Sequence, residues 1–75
     1  MLGMLINERE KDEIIYMLKR EMDEILFDLE DTRIEPMVKK SMQDRYKTLF
    51  TLFKRIATHE ECIKYMLPAK KKIKG

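Results

Sequence analysis

With 75 residues the chain has room for one domain, and a chain this short buries only a modest share of its surface, so marginal stability is expected. A single cysteine, Cys62, excludes an internal disulfide, zinc spacings such as CxxC are absent, and sparing cysteine use fits a reducing, cytoplasmic setting. Charged residues at 40%, two glycines, two prolines and seven methionines favour helix, and no apolar run approaches the roughly 20 residues that a bilayer span requires.

The net charge of +2 conceals a division. Residues 1–35 hold eleven acids and five bases, a net of −6, whereas residues 36–75 hold three acids and eleven bases, a net of +8. Two arrangements account for this. An acidic arm can lie against a basic arm in a hairpin, where exposed ion pairs are worth only about 0–1 kcal/mol each and select orientation more than they stabilise. Alternatively the halves present two charged surfaces to different partners.

The opening MLGMLI is shorter than a signal h-region with its flanks, so no secretion signal is expected. It reads as a frayed start whose apolar side chains pad the core. Asn7 with Glu10 three residues on has the spacing of a capping box, and Glu8, Glu10, Asp12 and Glu13 suit a helix N-terminus. The apolar stripe of this first helix is Ile15, Leu18, Met22, Ile25 and Leu29, widened by Ile14 and Leu26. The pattern fades near Asp31, and EDTRIEP ends in Pro36, which disfavours helix at Glu35 and suits the first turn of a new one. The second stripe is Val38, Met42, Tyr46, Leu49, Phe53 and Ile56, with Phe50 and Ala57 on one shoulder and Leu52 on the other. The short connection between two long helices implies antiparallel neighbours. Thr58 and Glu61 again have capping-box spacing and start a short third helix, either fresh or continuous with the second through a kink. It offers Ile63, Met66 and Leu67 to close the groove, and Pro68 should end it. AKKKIKG then reads as a basic, disordered tail.

The fold expected is therefore all-α. An antiparallel helical hairpin spans about residues 8–31 and 36–57, a short third helix spans about 59–67, and dimerisation would complete a four-helix-type bundle. The domain is expected to cover residues 1–67, with 68–75 as the tail.

Candidate chemistry is sparse. In RYKTLFTLFKRI, residues 45–56, aromatics lie among basic residues, as on nucleic-acid platforms. Helical spacing nevertheless gathers Tyr46, Leu49, Phe53 and Ile56 on one side, away from much of the charge, which makes them core. Phe50, Leu52 and Phe53 are the candidates for a dimer interface. A nucleic-acid surface, the alternative reading, would use Lys39, Lys40, Lys47, Lys54 and Arg55 with Lys70, Lys71 and Lys72 of the tail. His59 and Cys62 at i, i+3 lack the third and fourth ligands of a zinc site, and Cys62 lacks a triad for nucleophilic catalysis. No catalytic residue, metal or cofactor is expected, and the chain reads as non-enzymatic. On the first helix, Tyr16 and Phe27 share an azimuth away from the apolar stripe, with Arg20 between them and Asp23 and Asp31 nearby. Aromatics among carboxylates outside a core suit a protein-binding patch, to which Asp28 also belongs.

The pattern IIYMLKREMDEIL, the spacing of the helices and the run Tyr46-Lys47-x-Leu49-x-x-Leu52 ending in Arg55 resemble the small helical-hairpin antirepressors of sporulating bacteria, the AbbA type. The resemblance covers roughly residues 14–57. It implies a homodimer that binds a transcriptional regulator through acidic side chains standing where DNA phosphates would. Glu21, Asp23, Glu24, Asp28, Glu30 and Asp31 are the acids available for that role, while the basic second half departs from an acidic mimic. The function expected is a small regulatory protein, homodimeric and cytoplasmic, that binds another protein through the outer face of its acidic first helix. The alternatives are a nucleic-acid-binding module and a structural subunit of a larger assembly.

Overall fold

Three helices follow one another in chain order: α1 (Glu8–Leu29), α2 (Pro36–Ile56) and α3 (His59–Lys74). The computed structural model describes the backbone of residues 1–74 and the side chains of residues 1–66. No strand occurs among the described residues, so the fold is all-α.

The starts of the helices are written in their caps. The Glu10 amide donates to Asn7 Oδ1 at 2.8 Å and the Asn7 amide donates to Glu10 Oε1 at 2.9 Å, a reciprocal box that satisfies two orphan donors of α1. The helix ends at Leu29, two residues before the expected limit, with no basic residue in its last turn to favour further propagation. The connection is organised by Asp31. Its carboxylate accepts from the Arg33 amide at 2.9 Å and from the Arg33 guanidinium at 3.1 and 2.9 Å. Pro36 then opens α2 behind an extended Glu35 that supplies no side-chain cap. Ala57 breaks the chain with φ −87° and ψ 163°, so α2 and α3 are separate helices. The Glu61 amide donates to Thr58 Oγ1 at 3.3 Å and the Thr58 amide donates to Glu61 Oε1 at 3.2 Å, the second capping box.

The core lies where α1, α2 and α3 meet. Leu18, Met22 and Ile25 of α1, Tyr46 and Phe53 of α2 and Cys62 of α3 are buried, with Met22 and Phe53 fully enclosed. Ile14, Ile15, Leu26, Leu29, Met42, Leu49, Phe50, Ile56, Ala57 and Tyr65 pack around them. Tyr65 closes the core from α3. Its ring meets Phe53 edge-on at 5.4 Å, and its carbonyl accepts from the Tyr46 hydroxyl at 3.0 Å. Burial pushes both the Tyr46 and Tyr65 hydroxyls up to about 12, with the Asp23 carboxylate adding to the effect. The acidic and basic arms do meet, through Glu21 and Arg45 at 3.2 Å. A second bridge of opposite polarity joins Lys19 of α1 to Glu61 of α3 at 2.6 Å.

Four expectations are corrected. The MLGMLI segment does not pad the core: Met1, Leu2, Met4 and Leu5 are all exposed, because the Asn7 box starts α1 and the segment projects from the end of the hairpin. Val38 is half exposed, because it sits beside the connection, past the end of α1. Cys62 and Tyr65, not Ile63 and Met66, turn inward from α3, while Leu67 lies outside the described side chains. Finally, α3 runs past Pro68 to Lys74, where a helix end and a disordered tail were expected. Proline gives up one amide donor there, but the alanine and lysines that follow are strong helix formers.

Candidate protein-interaction face

At about 100° per residue, Tyr16 and Phe27 fall within roughly 20° of each other on α1, on the side opposite Leu18 and Ile25. Both are exposed, at 56% and 77%. The Arg20 guanidinium lies 5.9 Å from the Tyr16 ring centre, so one aromatic carries a cation over its face while the other stands bare. The helix makes this arrangement unavoidable, since Tyr16 and Arg20 are four residues apart and so neighbours on the helix surface.

The acids assigned to the same patch divide. Asp23 stands at its edge, turned toward α3, where its carboxylate raises the pKa of the Tyr65 hydroxyl. Asp28 is partly buried, and its backbone carbonyl accepts from the Asp31 amide at 3.0 Å. Asp31 is engaged by Arg33, whose hydrogen bonds hold its carboxyl below the usual carboxylate range. The face therefore unites Tyr16, Arg20 and Phe27, with Asp23 beside them, and leaves Asp31 to the connection.

The proposed interface residues of α2 divide too. Phe53 is fully enclosed by its own chain, so its side chain reaches no surface. Phe50 stacks on Tyr46 at 6.3 Å and lies under the Lys54 ammonium at 5.3 Å. Leu52 alone stands out, 43% exposed. Among the basic candidates, Lys40, Lys47 and Lys54 recur every seven residues and form one column on α2, all exposed. Lys39 is partly buried on another side, and Arg55 flanks the column. Lys70, Lys71 and Lys72 lie outside the described side chains.

Sequence reasoning passed over a groove of about 340 Å³ lined by Lys11, Ile15, Tyr16, Ile56, Thr58 and Glu61 among others. It forms only because the break at Ala57 swings α3 back against the start of α1, and no local pattern announces that. Tyr16 borders both this groove and the aromatic face. Lys19 also lines the groove, and its charge is answered by Glu61. Met17, 52% exposed on a third side of α1, was likewise unremarked. His59 points to solvent while Cys62 is buried, so the two side chains diverge. Among the described residues no three potential metal ligands converge, and no helix is long and apolar enough to cross a membrane.

In comparisons with known proteins, no family model, curated protein or solved structure matches the chain.

Proposed function

We propose that the chain is a small non-enzymatic regulatory protein that binds another protein through the outer face of α1. One observation carries this reading: Tyr16 and Phe27, large aromatics spaced three turns apart, are exposed on one side of a helix whose other side is committed to the core. Exposed aromatics beside an arginine have the composition of an interface centre. The surrounding acids, Asp23 and Glu24, suit a partner with a basic rim, such as the DNA-contacting surface of a transcriptional regulator. The AbbA-like sequence pattern points the same way. A cytoplasmic setting follows from the same reading.

The test is quantitative affinity capture from native lysate. Phe27→Ala together with Tyr16→Ala should remove the captured protein while leaving helical content intact. Reversing the charge of Asp23 should also abolish capture, and unchanged recovery with either variant would sink the proposal.

The alternative, nucleic-acid binding, is favoured by the lysine column of α2. Lys40, Lys47 and Lys54 repeat about every 10 Å along the axis, with Asp44 the acid beside the first two. A gel shift at low salt that weakens steeply as salt is added would support it, and no shift would remove it.

A further inference from the structure

Two apolar features meet at the start of α1, and neither is covered. Met1, Leu2, Met4 and Leu5 stand clear of the helices, each at least 76% exposed. Beside them lies the groove of about 340 Å³ between the start of α1 and the junction of α2 with α3, with Ile15 and Ile56 as its apolar lining and Tyr16 at its edge. The root of the exposed segment leads toward this groove. Ile6 and Lys11 occupy the two positions of a hydrophobic staple around the Asn7 cap, both are half-buried, and Lys11 lines the groove.

Reach, pattern and charge fit the segment to the groove. Ile15 lies eight residues beyond the cap, about 12 Å along the helix, and five extended residues span about 16 Å. In an extended chain Leu2 and Met4 point to the same side, so both can face the two isoleucines, and Gly3 between them lets the backbone bend over the helix surface. Residues 1–6 carry no charged side chain. The rim of the groove asks for none: Lys19 is paired with Glu61 at 2.6 Å, Lys11 is paired with Glu8 at 3.4 Å, and Asp12 faces solvent. A neutral, apolar occupant matches that lining better than a charged ligand does.

We propose that residues 1–5 are a strap that closes over this groove and lays Leu2 and Met4 on Ile15 and Ile56. In the structure the strap stands open. Closure is finely balanced, because ordering the segment costs about as much as is returned by burying Leu2, Met4 and the isoleucines they cover. A modest bias therefore tips it either way. Tyr16 borders the groove and belongs also to the outer face of α1, so the closed strap lies against one edge of that face and competes with a partner there. Closure is independent of the function proposed above, whereas the competition rests on it.

NMR of the full chain, labelled at its methionine, leucine and isoleucine methyls, tests closure. Nuclear Overhauser contacts should join the Leu2 and Met4 methyls to those of Ile15 or Ile56. A gadolinium chelate in the solvent should relax the Met4 methyl roughly twofold less than the Met1 methyl, which stays outside a closed strap. Leu2→Asp should abolish the Met4 contacts and bring Met4 to the Met1 rate with helicity unchanged, since Leu2 is exposed in the open state. A wild-type chain without these contacts, whose Met4 relaxes as Met1 does, would overturn the strap. Contacts found only between a labelled and an unlabelled copy in a mixed sample would overturn it too, because the segment would then sit in the groove of a second chain. Capture reads the competition. A strap closed half the time halves the open fraction, so Leu2→Asp should raise capture about twofold at sub-saturating partner. Lost methyl contacts with unchanged capture would overturn the competition. Methyl contacts without any capture would uphold the strap and sink the protein-binding reading.

Discussion

The aromatics of α1 and those of α2 are the same residue types on helices of nearly equal length, yet their surroundings differ throughout. Tyr46 and Phe53 are buried, Phe50 is half covered, and the Tyr46 hydroxyl is satisfied by the Tyr65 carbonyl. Tyr16 and Phe27 are exposed, and the Tyr16 ring carries the Arg20 guanidinium of its own helix over its face. The difference arises from position within the repeat. On α2 the aromatics take the place of core aliphatics at the 3–4 spacing, so burial follows from helix packing. On α1 that spacing is filled by Leu18, Met22 and Ile25, and the aromatics stand outside it. An aromatic outside the stripe adds nothing to the core and is left free to meet a partner.

Mutation should separate the two sets, beginning with the largest effect. Phe53→Ala empties the centre of the core and should cost about 3–5 kcal/mol, a large share of the stability of so small a chain, read as a fall in the denaturant midpoint. A loss below about 1 kcal/mol would show that the α2 aromatics are not the core they form here. Tyr46→Phe should cost about 0.5–1.5 kcal/mol through the lost hydrogen bond.

An alkaline titration sharpens the same side of the comparison. The folded-state pKa values of Tyr46 and Tyr65 are raised to about 12, so the fold favours the protonated phenols. Their contribution is fully present below the unfolded tyrosine value of about 10 and is lost as pH rises from there through about 12. The midpoint of chemical unfolding should fall in that window in the wild type and fall less in Tyr46→Phe. The smallest effect is expected on α1. Phe27→Ala should change stability by no more than about 0.5 kcal/mol while removing partner capture. A stability loss as large as that of Phe53→Ala would erase the distinction.

Much of the fold is legible in the residues. The Asn7–Glu10 and Thr58–Glu61 boxes, Pro36 at the first turn of α2 and the two apolar stripes locate α1, α2 and the start of α3 to within about two residues, while α3 ends seven residues beyond its expected limit. Periodicity identifies which side chains share a face. It does not say what covers that face, and the misreadings cluster there. Phe53 belongs to its stripe but could be assigned to a dimer interface only while α3 was unplaced. The apolar residues at the start of α3 allow more than one inward face, and tertiary contact with Phe53 selects Cys62 and Tyr65 over Ile63 and Met66. The outward position of Tyr16 and Phe27 was legible because it follows from azimuth alone. The engagement of Asp31 by Arg33 was not, because it depends on the path of the connection.

The break at Ala57 has a consequence for how the molecule opens. α3 has its own cap and, among the described residues, joins the hairpin through buried Cys62, the Tyr46–Tyr65 hydrogen bond, the Phe53–Tyr65 contact and the Lys19–Glu61 bridge. A helix with its own cap and a break before it can lift away as a unit while α1 and α2 stay paired. Amide hydrogens of α3 should then exchange with solvent together and faster than those of Leu18–Ile25, and each opening would uncover the Phe53 ring. The hairpin would thus have a removable cover, and the lifetime of that cover would set how often its aromatic interior meets water.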